Sequence, residues 1–313
     1  MTGLLRPVAL ATACIAALSL PSRSGELPAS GESARIAELG VQIPALEERP
    51  FYSKATMLDI RDNLHAGYVR TGWVPGWFKL EKKPWIREDR AMHVVCTSGL
   101  KVMVITPTPK EDADGLDDLV GEADAFFARY TKREPGCLRY AEIANETDIA
   151  KNGFSSVDAY AAYYERIAPI PARYGIEVIT SGTSGKDLPW TFSLASILRS
   201  AAPKPPVSGF GFHPYGVSPK SMASATLAMR QAAGKNADGA LPEVYVTELG
   251  LKNGDDLYAA IVNLAHATPA ITIFEYETQP GIEREYGLKD NPALYQAMQR
   301  AWQHLHGADA APL

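Results

Sequence analysis

Along this chain, short unbroken apolar runs alternate with longer stretches in which apolar residues recur at helical spacing. The runs predict strands at Glu38–Ile43, Tyr68–Trp73, Leu100–Ile105, Leu138–Asn145, Ile176–Thr180, Val207–Phe212, Glu243–Thr247 and Ala270–Tyr276. The stretches between predict helices over Met57–His65, Ile86–Thr97, Leu116–Tyr130, Val157–Arg173, Ser193–Ser200, Met222–Ala233, Leu257–Ala267 and Leu294–Leu305. In Leu116–Tyr130, for example, Leu119, Ala123, Phe126 and Phe127 share one face. Strands that are apolar on both faces suit a parallel sheet covered by helices. Eight strands, each followed by a helix, close into a (β/α)8 barrel or, less often, spread into a doubly wound sheet. No Gly-x-Gly-x-x-Gly follows the first strand, where a dinucleotide fold carries one. The expected fold is therefore α/β, a (β/α)8 TIM barrel occupying residues 36–313.

The first 25 residues break this rhythm. Arg6 supplies a positive end, Val8–Leu20 is apolar and small, and Pro21–Gly25 is rich in breakers and small residues. That is the layout of a secretory signal, and the apolar run is too short to span a bilayer. Residues 26–35 read as a polar linker. The expectation is an exported protein, periplasmic or extracellular. Loss of Arg6 and Arg23 with the signal leaves 29 basic residues against 36 acidic ones, a net charge of −7. Such a surface is a poor partner for nucleic acid or anionic membrane. Cys96 and Cys137 remain after cleavage. In an exported protein such a pair invites a disulfide; the alternative is two separate small buried residues.

In a barrel, chemistry sits at the carboxyl ends of the strands. Here those ends carry Arg70 and Trp73, Thr106, Asn145 with Glu146, Thr180, His213 with Tyr215, Glu248, and Glu275–Glu277. Glu146 and Glu248 are 102 residues apart. At about 31 residues per unit in a ~250-residue barrel this is three units, so they rise from strands four and seven and face each other across the mouth. Two carboxyls about 5–5.5 Å apart suit double displacement at a sugar: one attacks the anomeric carbon, the other protonates the leaving oxygen and later activates water. Arg70 and Tyr215 are placed to keep Glu248 ionised, and that charge is expected to raise the pKa of Glu146.

These residues resemble glycoside hydrolase clan A, the retaining (β/α)8 glycosidases: Arg ending the second strand, Asn-Glu the fourth, His-x-Tyr the sixth and Glu the seventh. The likeness spans about residues 36–305. The segment Glu283-Arg284-Glu285-Tyr286-Gly287-Leu288, with Asn291-Pro292-Ala293 after it, is similar to the closing segment of family 39-like members. The resemblance implies that Glu146 is the acid/base and Glu248 the nucleophile. It further implies that Asn145 bonds the sugar 2-hydroxyl, Arg70 and Tyr215 hold the nucleophile, His213 lines the cleavage subsite, and the substrate is β-linked. Many members carry Pro after Asn-Glu and Trp at the end of strand eight. Here Thr147 follows, and strand eight offers Phe274, Glu275, Tyr276 and Glu277, with Tyr276 the expected replacement for the sugar-stacking Trp.

Each of these residues has a plainer reading when taken alone. Glu146 is then a helix-start carboxylate, Glu248 a solvated loop residue, Arg70 a structural ion-pair partner and His213 a satisfied structural histidine. Their joint fall on strand ends favours the site. Trp73, Trp77 and Trp85 are either sugar platforms or a packed loop. Asp112, Asp114, Asp117 and Asp118 lack the spacing of a calcium loop and read as a solvated helix start. Neither His-Glu-x-x-His nor a zinc-spaced Cys/His cluster occurs, so no metal or cofactor is expected. The reading is a monomeric, exported, single-domain retaining glycoside hydrolase acting on a β-linked glycoside or polysaccharide. Its rival is a catalytically silent barrel that binds carbohydrate in the cell envelope or in polysaccharide assembly. A barrel lyase or aldolase would need a strand-end lysine or metal, and no predicted strand ends in lysine.

Overall fold

The computed structural model describes residues 35–46, 48, 52–75, 85–109, 115–152, 154–185, 188–236, 239–278 and 285–307. The expected signal and most of the expected linker, Trp77, Asp112, Asp114, Glu283 and Arg284 lie outside the described residues. Eight parallel strands follow one another round a closed barrel: β1 (Glu38–Gln42), β2 (Tyr68–Gly72), β3 (Lys101–Ile105), β4 (Leu138–Ile143), β5 (Glu177–Thr180), β6 (Gly209–His213), β7 (Glu243–Leu249) and β8 (Ala270–Ile273). Each pairs in parallel with its chain neighbour, and β8 returns to β1 in register, with Glu38 opposite Ala270 and Val41 opposite Ile273. At the fifth position the two-residue segment Thr183–Ser184 extends the pairing to Phe212 and His213.

The surrounding helices are α1 (Lys54–Leu58, running into a π-helical turn at Asp59–Asn63), α2 (Ile86–Thr97), α3 (Gly115–Arg133), α4 (Val157–Ile167), α5 (Leu188–Ser200), α6 (Met222–Ala233), α7 (Gly254–Leu264) and α8 (Pro292–His306). Their starts are written locally. The side chains of Ser53, Ser156, Asn253 and Asn291 each accept a first-turn backbone N–H, which satisfies donors the helix itself leaves free. None of the helices searched is long and apolar enough to cross a membrane.

Alternation along the strands sorts their side chains into two populations. One phase packs against the helices and forms the main core, with Val41, Val69, Val102, Val104, Ala141, Ile143, Val244 and Val246 all buried in it. The other phase points into the barrel. Its lower layer is Tyr68, Met103, Tyr140, Ile179, Tyr245 and Ala270. The three tyrosine rings meet edge to face with centroids 5.7 Å apart, and their hydroxyls donate to or share protons with Thr272, Glu38 and Glu177. Two glycines make the room. A Cβ on Gly40 would lie 2.2 Å from the Tyr68 ring, and one on Gly209 would lie 2.5 Å from that of Tyr245. The barrel is thus filled from below, and its next inward layer, two residues further along the strands, is largely polar, with Gln42, Arg70, Glu142, Thr247 and Thr272, while β3 places Ile105 there.

Several boundaries differ from the sequence-based expectation. β4 stops at Ile143 because Ala144 (φ 62°) and Glu146 (φ 47°) turn left-handed. β8 stops at Ile273, and α5 begins at Leu188, five residues early. Cys96 and Cys137 form a disulfide joining the end of α2 to the start of β4, which decides between the two readings of that pair.

Candidate active site

Arg70, the middle residue of β2, follows Tyr68 on the inward phase and is buried at the centre of the polar layer. Its guanidinium donates in four directions. Nε reaches Glu142 Oε2 at 2.7 Å, Nη1 reaches Gln42 Oε1 at 2.5 Å and Glu248 Oε2 at 3.0 Å, and Nη2 reaches Asn145 Oδ1 at 2.6 Å. Burial alone would lower its pKa, but Glu142 and Glu248 together hold it above the ordinary value. The other oxygen of Glu248 accepts the Tyr215 hydroxyl at 2.5 Å. Tyr215 is itself held protonated, its pKa raised first by burial and then by the Glu248 charge. Glu248 is therefore fixed at both oxygens by a cation and a neutral donor, which suits a carboxylate that attacks from a set orientation.

Glu248 is aimed by a backbone irregularity. The inward phase of β7 is Tyr245 and Thr247, so strict alternation would turn Glu248 toward the helices. The pairing of β7 with β8 shifts register between Val246 and Leu249, and the side chain comes to the barrel mouth. Glu146 is aimed in a similar way. Its own left-handed φ and that of Ala144 are uncommon for residues with side chains. They are held by Ala144 N–H donating to Thr106 Oγ1, Glu146 N–H to the Gly182 carbonyl, and Thr147 N–H to Ser181 Oγ. The Glu146 carbonyl accepts from Ile149 N–H and Asn152 Nδ2.

These devices bring Glu146, His213 and Glu248 together, with one side-chain polar atom of each within 4.8 Å of the others. One oxygen of each carboxylate within 4.8 Å of the other is in keeping with the short separation of double displacement. The same proximity could interest a cation, but Glu248 is already taken by Arg70 and Tyr215, and His213 by Thr247 and Glu146. His213, last residue of β6 and buried, meets Glu146 Oε1 through Nδ1 at 3.2 Å and Thr247 Oγ1 through Nε2 at 3.1 Å. Asn145 spends Oδ1 on Arg70, so its amide NH2 is the group left for a ligand.

Two expected residues are not at the site. Trp73 is buried outside the barrel, stacked on Phe126 with centroids 4.2 Å apart, its Nε1 donating to Glu122. One residue past Gly72, it falls on the outward phase, and α3 covers it. Trp85 belongs to the same aromatic cluster, against Phe126 and Tyr130. Tyr276 is buried with its hydroxyl on Asp59, which also takes the Tyr295 hydroxyl of α8; it braces the helix layer and offers no face to a sugar. The electrostatic expectation for Glu146 is also corrected. The hydrogen bond with His213 holds its carboxyl below the usual value despite partial burial, and the charges of His213 and Arg70 act in the same direction.

Three site residues were not singled out from the sequence, and Phe274 was passed over there in favour of Tyr276. Gln42, Glu142 and Thr247 each lie two residues beyond an inward-facing partner (Gly40, Tyr140, Tyr245), so strand alternation was the available signal. Phe274 follows β8, donates its N–H to the Leu249 carbonyl beside Glu248, and is only half-buried, its ring 5.9 Å from that of Tyr286.

No family model and no curated protein sequence matches this chain. Solved structures do. A GH39 β-xylosidase from Caulobacter crescentus superposes with a TM-score of 0.67 at 17% identity, covering 87% of this chain and 72% of that one. A GH30 endoxylanase from Clostridium papyrosolvens C71 gives 0.59 at 13%, covering 84% and 71%. An endo-1,4-β-mannanase from Rhizomucor miehei gives 0.61 at 14%, covering 88% and 96%. The likeness is one of fold: this chain, like these structures, is built as a (β/α)8 barrel.

Proposed function

We propose that this protein is a retaining glycoside hydrolase acting on a β-linked glycoside or polysaccharide. The observation that carries the proposal is the pair of glutamates at the ends of β4 and β7, within 4.8 Å of each other, with one of the two held by Arg70 and Tyr215. In the first half-reaction a Glu248 oxygen bonds to the anomeric carbon as the glycosidic C–O bond breaks, and Glu146 gives its proton to the departing oxygen. In the second, Glu146 takes a proton from water, whose oxygen bonds to the anomeric carbon and releases Glu248. Acid–base assistance of this kind contributes about 10²–10⁴-fold in rate. Tyr215 holds the Glu248 carboxylate in the orientation from which it attacks. Phe274, not Tyr276, is the aromatic residue available to lie against an apolar sugar face.

The named activities of the structural neighbours, xylosidase, xylanase and mannanase, set the first substrates to try. Both glutamates come from one chain, so a monomer suffices. Export through the N-terminal segment accords with the Cys96–Cys137 disulfide, since such bonds persist in oxidising compartments. Proton NMR of the first product released from 4-nitrophenyl β-xyloside, β-mannoside and β-glucoside, and from xylan and mannan, tests the mechanism. The β-anomer appearing before mutarotation is expected. The α-anomer appearing first would overturn double displacement, and saturable binding without hydrolysis would favour the silent barrel.

A further inference from the structure

Below the two glutamates lies a third carboxylate that the mechanism does not use. Glu142 is fully buried, two residues before the left-handed turn that carries Glu146. Its Oε2 is salt-bridged to Arg70 Nε, and its Oε1 accepts the Gly182 N–H at 2.9 Å and the Thr247 hydroxyl at 3.0 Å. Thr247 Oγ1 in turn contacts His213 Nε2, and His213 Nδ1 contacts Glu146 Oε1. Four residues from three strands and one strand-end turn thus form a single chain of hydrogen bonds running from the barrel interior to the candidate acid.

Counting protons along that chain leaves one arrangement. A carboxylate bound to Arg70 can only accept, so the single hydroxyl proton of Thr247 points to Glu142. The Thr247 oxygen is then left as an acceptor toward His213, and Nε2 must carry a hydrogen to donate to it. A neutral imidazole protonated at Nε2 has a bare lone pair at Nδ1. The 3.2 Å contact between Nδ1 and Glu146 is a hydrogen bond only if one proton sits between them, on the glutamate oxygen or on the ring.

We infer that Glu142 and Thr247 are positioning residues that hold the proton on Nε2 of His213, so that Nδ1 and the Glu146 carboxyl share one further proton and the acid is kept loaded. The inference rests on the glycosidase reading for its purpose, though not for its geometry. The charged and titratable groups facing the Glu146–His213 couple are Arg70 of β2, Glu142 of β4, Glu248 of β7 and Tyr215 after β6. In turnover the shared proton leaves with the departing oxygen, and His213 is left neutral with Nε2 still protonated. The proton taken from water in the second half-reaction then restores the couple. The opposite tautomer, with hydrogen on Nδ1 and none on Nε2, would donate to an ionised Glu146 and leave no proton for the leaving group.

The test is ¹⁵N NMR of protein labelled at its six histidines, the His213 signals being assigned by their loss in His213→Gln. A protonated, pyrrole-type Nε2 is expected in the wild type at neutral pH. A neutral ring with a pyridine-type Nε2 and a protonated Nδ1 would overturn the inference. Thr247→Val, which removes the acceptor, should abolish the fixed Nε2–H signature, and Thr247→Ser should keep it. An unchanged tautomer in Thr247→Val would remove Thr247 and Glu142 from the role. No substrate enters these measurements, so their failure is separable from a failure to find hydrolysis, and the wild-type spectrum stands whether or not the variants fold.

Discussion

Replacing Arg70 by Met should destabilise the barrel more than any other single change at the site. The guanidinium and the Glu142 carboxylate that it pairs with are 1% and 0% exposed, so the loss leaves a buried charge whose remaining donors are the Gly182 N–H and the Thr247 hydroxyl. Breaking a buried pair in this way costs about 3–5 kcal/mol. For a unit of this size, each kcal/mol corresponds to roughly 2–4 °C in melting temperature, so a fall of about 6–20 °C is expected. Glu142→Gln added to Arg70→Met removes the stranded charge while keeping the shape, and should recover at least about 2 kcal/mol of the loss without restoring any activity that needs Arg70 on Glu248. Calorimetry of wild type, both single variants and the double variant reads this directly. A melting temperature for Arg70→Met within about 2 °C of wild type, less than 1 kcal/mol, would refute the description of Arg70 as the buried centre of the polar layer.

Three further outcomes follow from the geometry. Tyr215→Phe deletes a hydrogen bond to the Glu248 carboxylate, worth about 1.5–3 kcal/mol for a charged acceptor, so kcat/KM on any accepted glycoside should fall by about 10–150-fold with the fold unchanged by circular dichroism. Because Glu146 is held below its ordinary value by His213, the carboxylate contributes stability that is fully present above about pH 4.5 and is lost as pH falls through the lowered value; the melting temperature of Glu146→Gln, which has no group to titrate there, should decline less steeply than wild type from pH 5 to 3. The disulfide closes a span of 41 residues, for which the chain-entropy relation gives about 4 kcal/mol, so Cys96→Ser/Cys137→Ser should melt well below the oxidised protein and match the wild type treated with reductant.

How far the sequence foretold this site depends on which rule aimed each side chain. Arg70, His213 and the strand order follow from alternation and from the strand–helix rhythm, and both are visible in the pattern of apolar residues. Glu142 and Thr247 obey the same alternation, but a polar residue inside an apolar run draws attention only once the barrel interior is known to be polar at that height. Glu146 and Glu248 break the rule: a left-handed turn and a register shift turn them into the mouth, so only their company on the strand ends pointed to them. Trp73 is the converse case. It sits beside the rim in sequence, yet its phase sends it to α3, and the phase outweighs the aromatic's suitability for sugar. Tyr276 lies past the end of β8, where alternation no longer decides, and Asp59 from the turn after α1 claims its hydroxyl through a contact 217 residues distant.

The proposed mechanism turns on covalent attachment of the sugar to Glu248. Intact and peptide mass spectrometry after incubation with 2-fluoro β-xyloside, β-mannoside and β-glucoside carrying dinitrophenolate leaving groups measures this attachment. One adduct per chain is expected, on the peptide containing Glu248 and absent in Glu248→Gln. An adduct on a different residue, or hydrolysis of the parent glycoside that persists in Glu248→Gln, would contradict it.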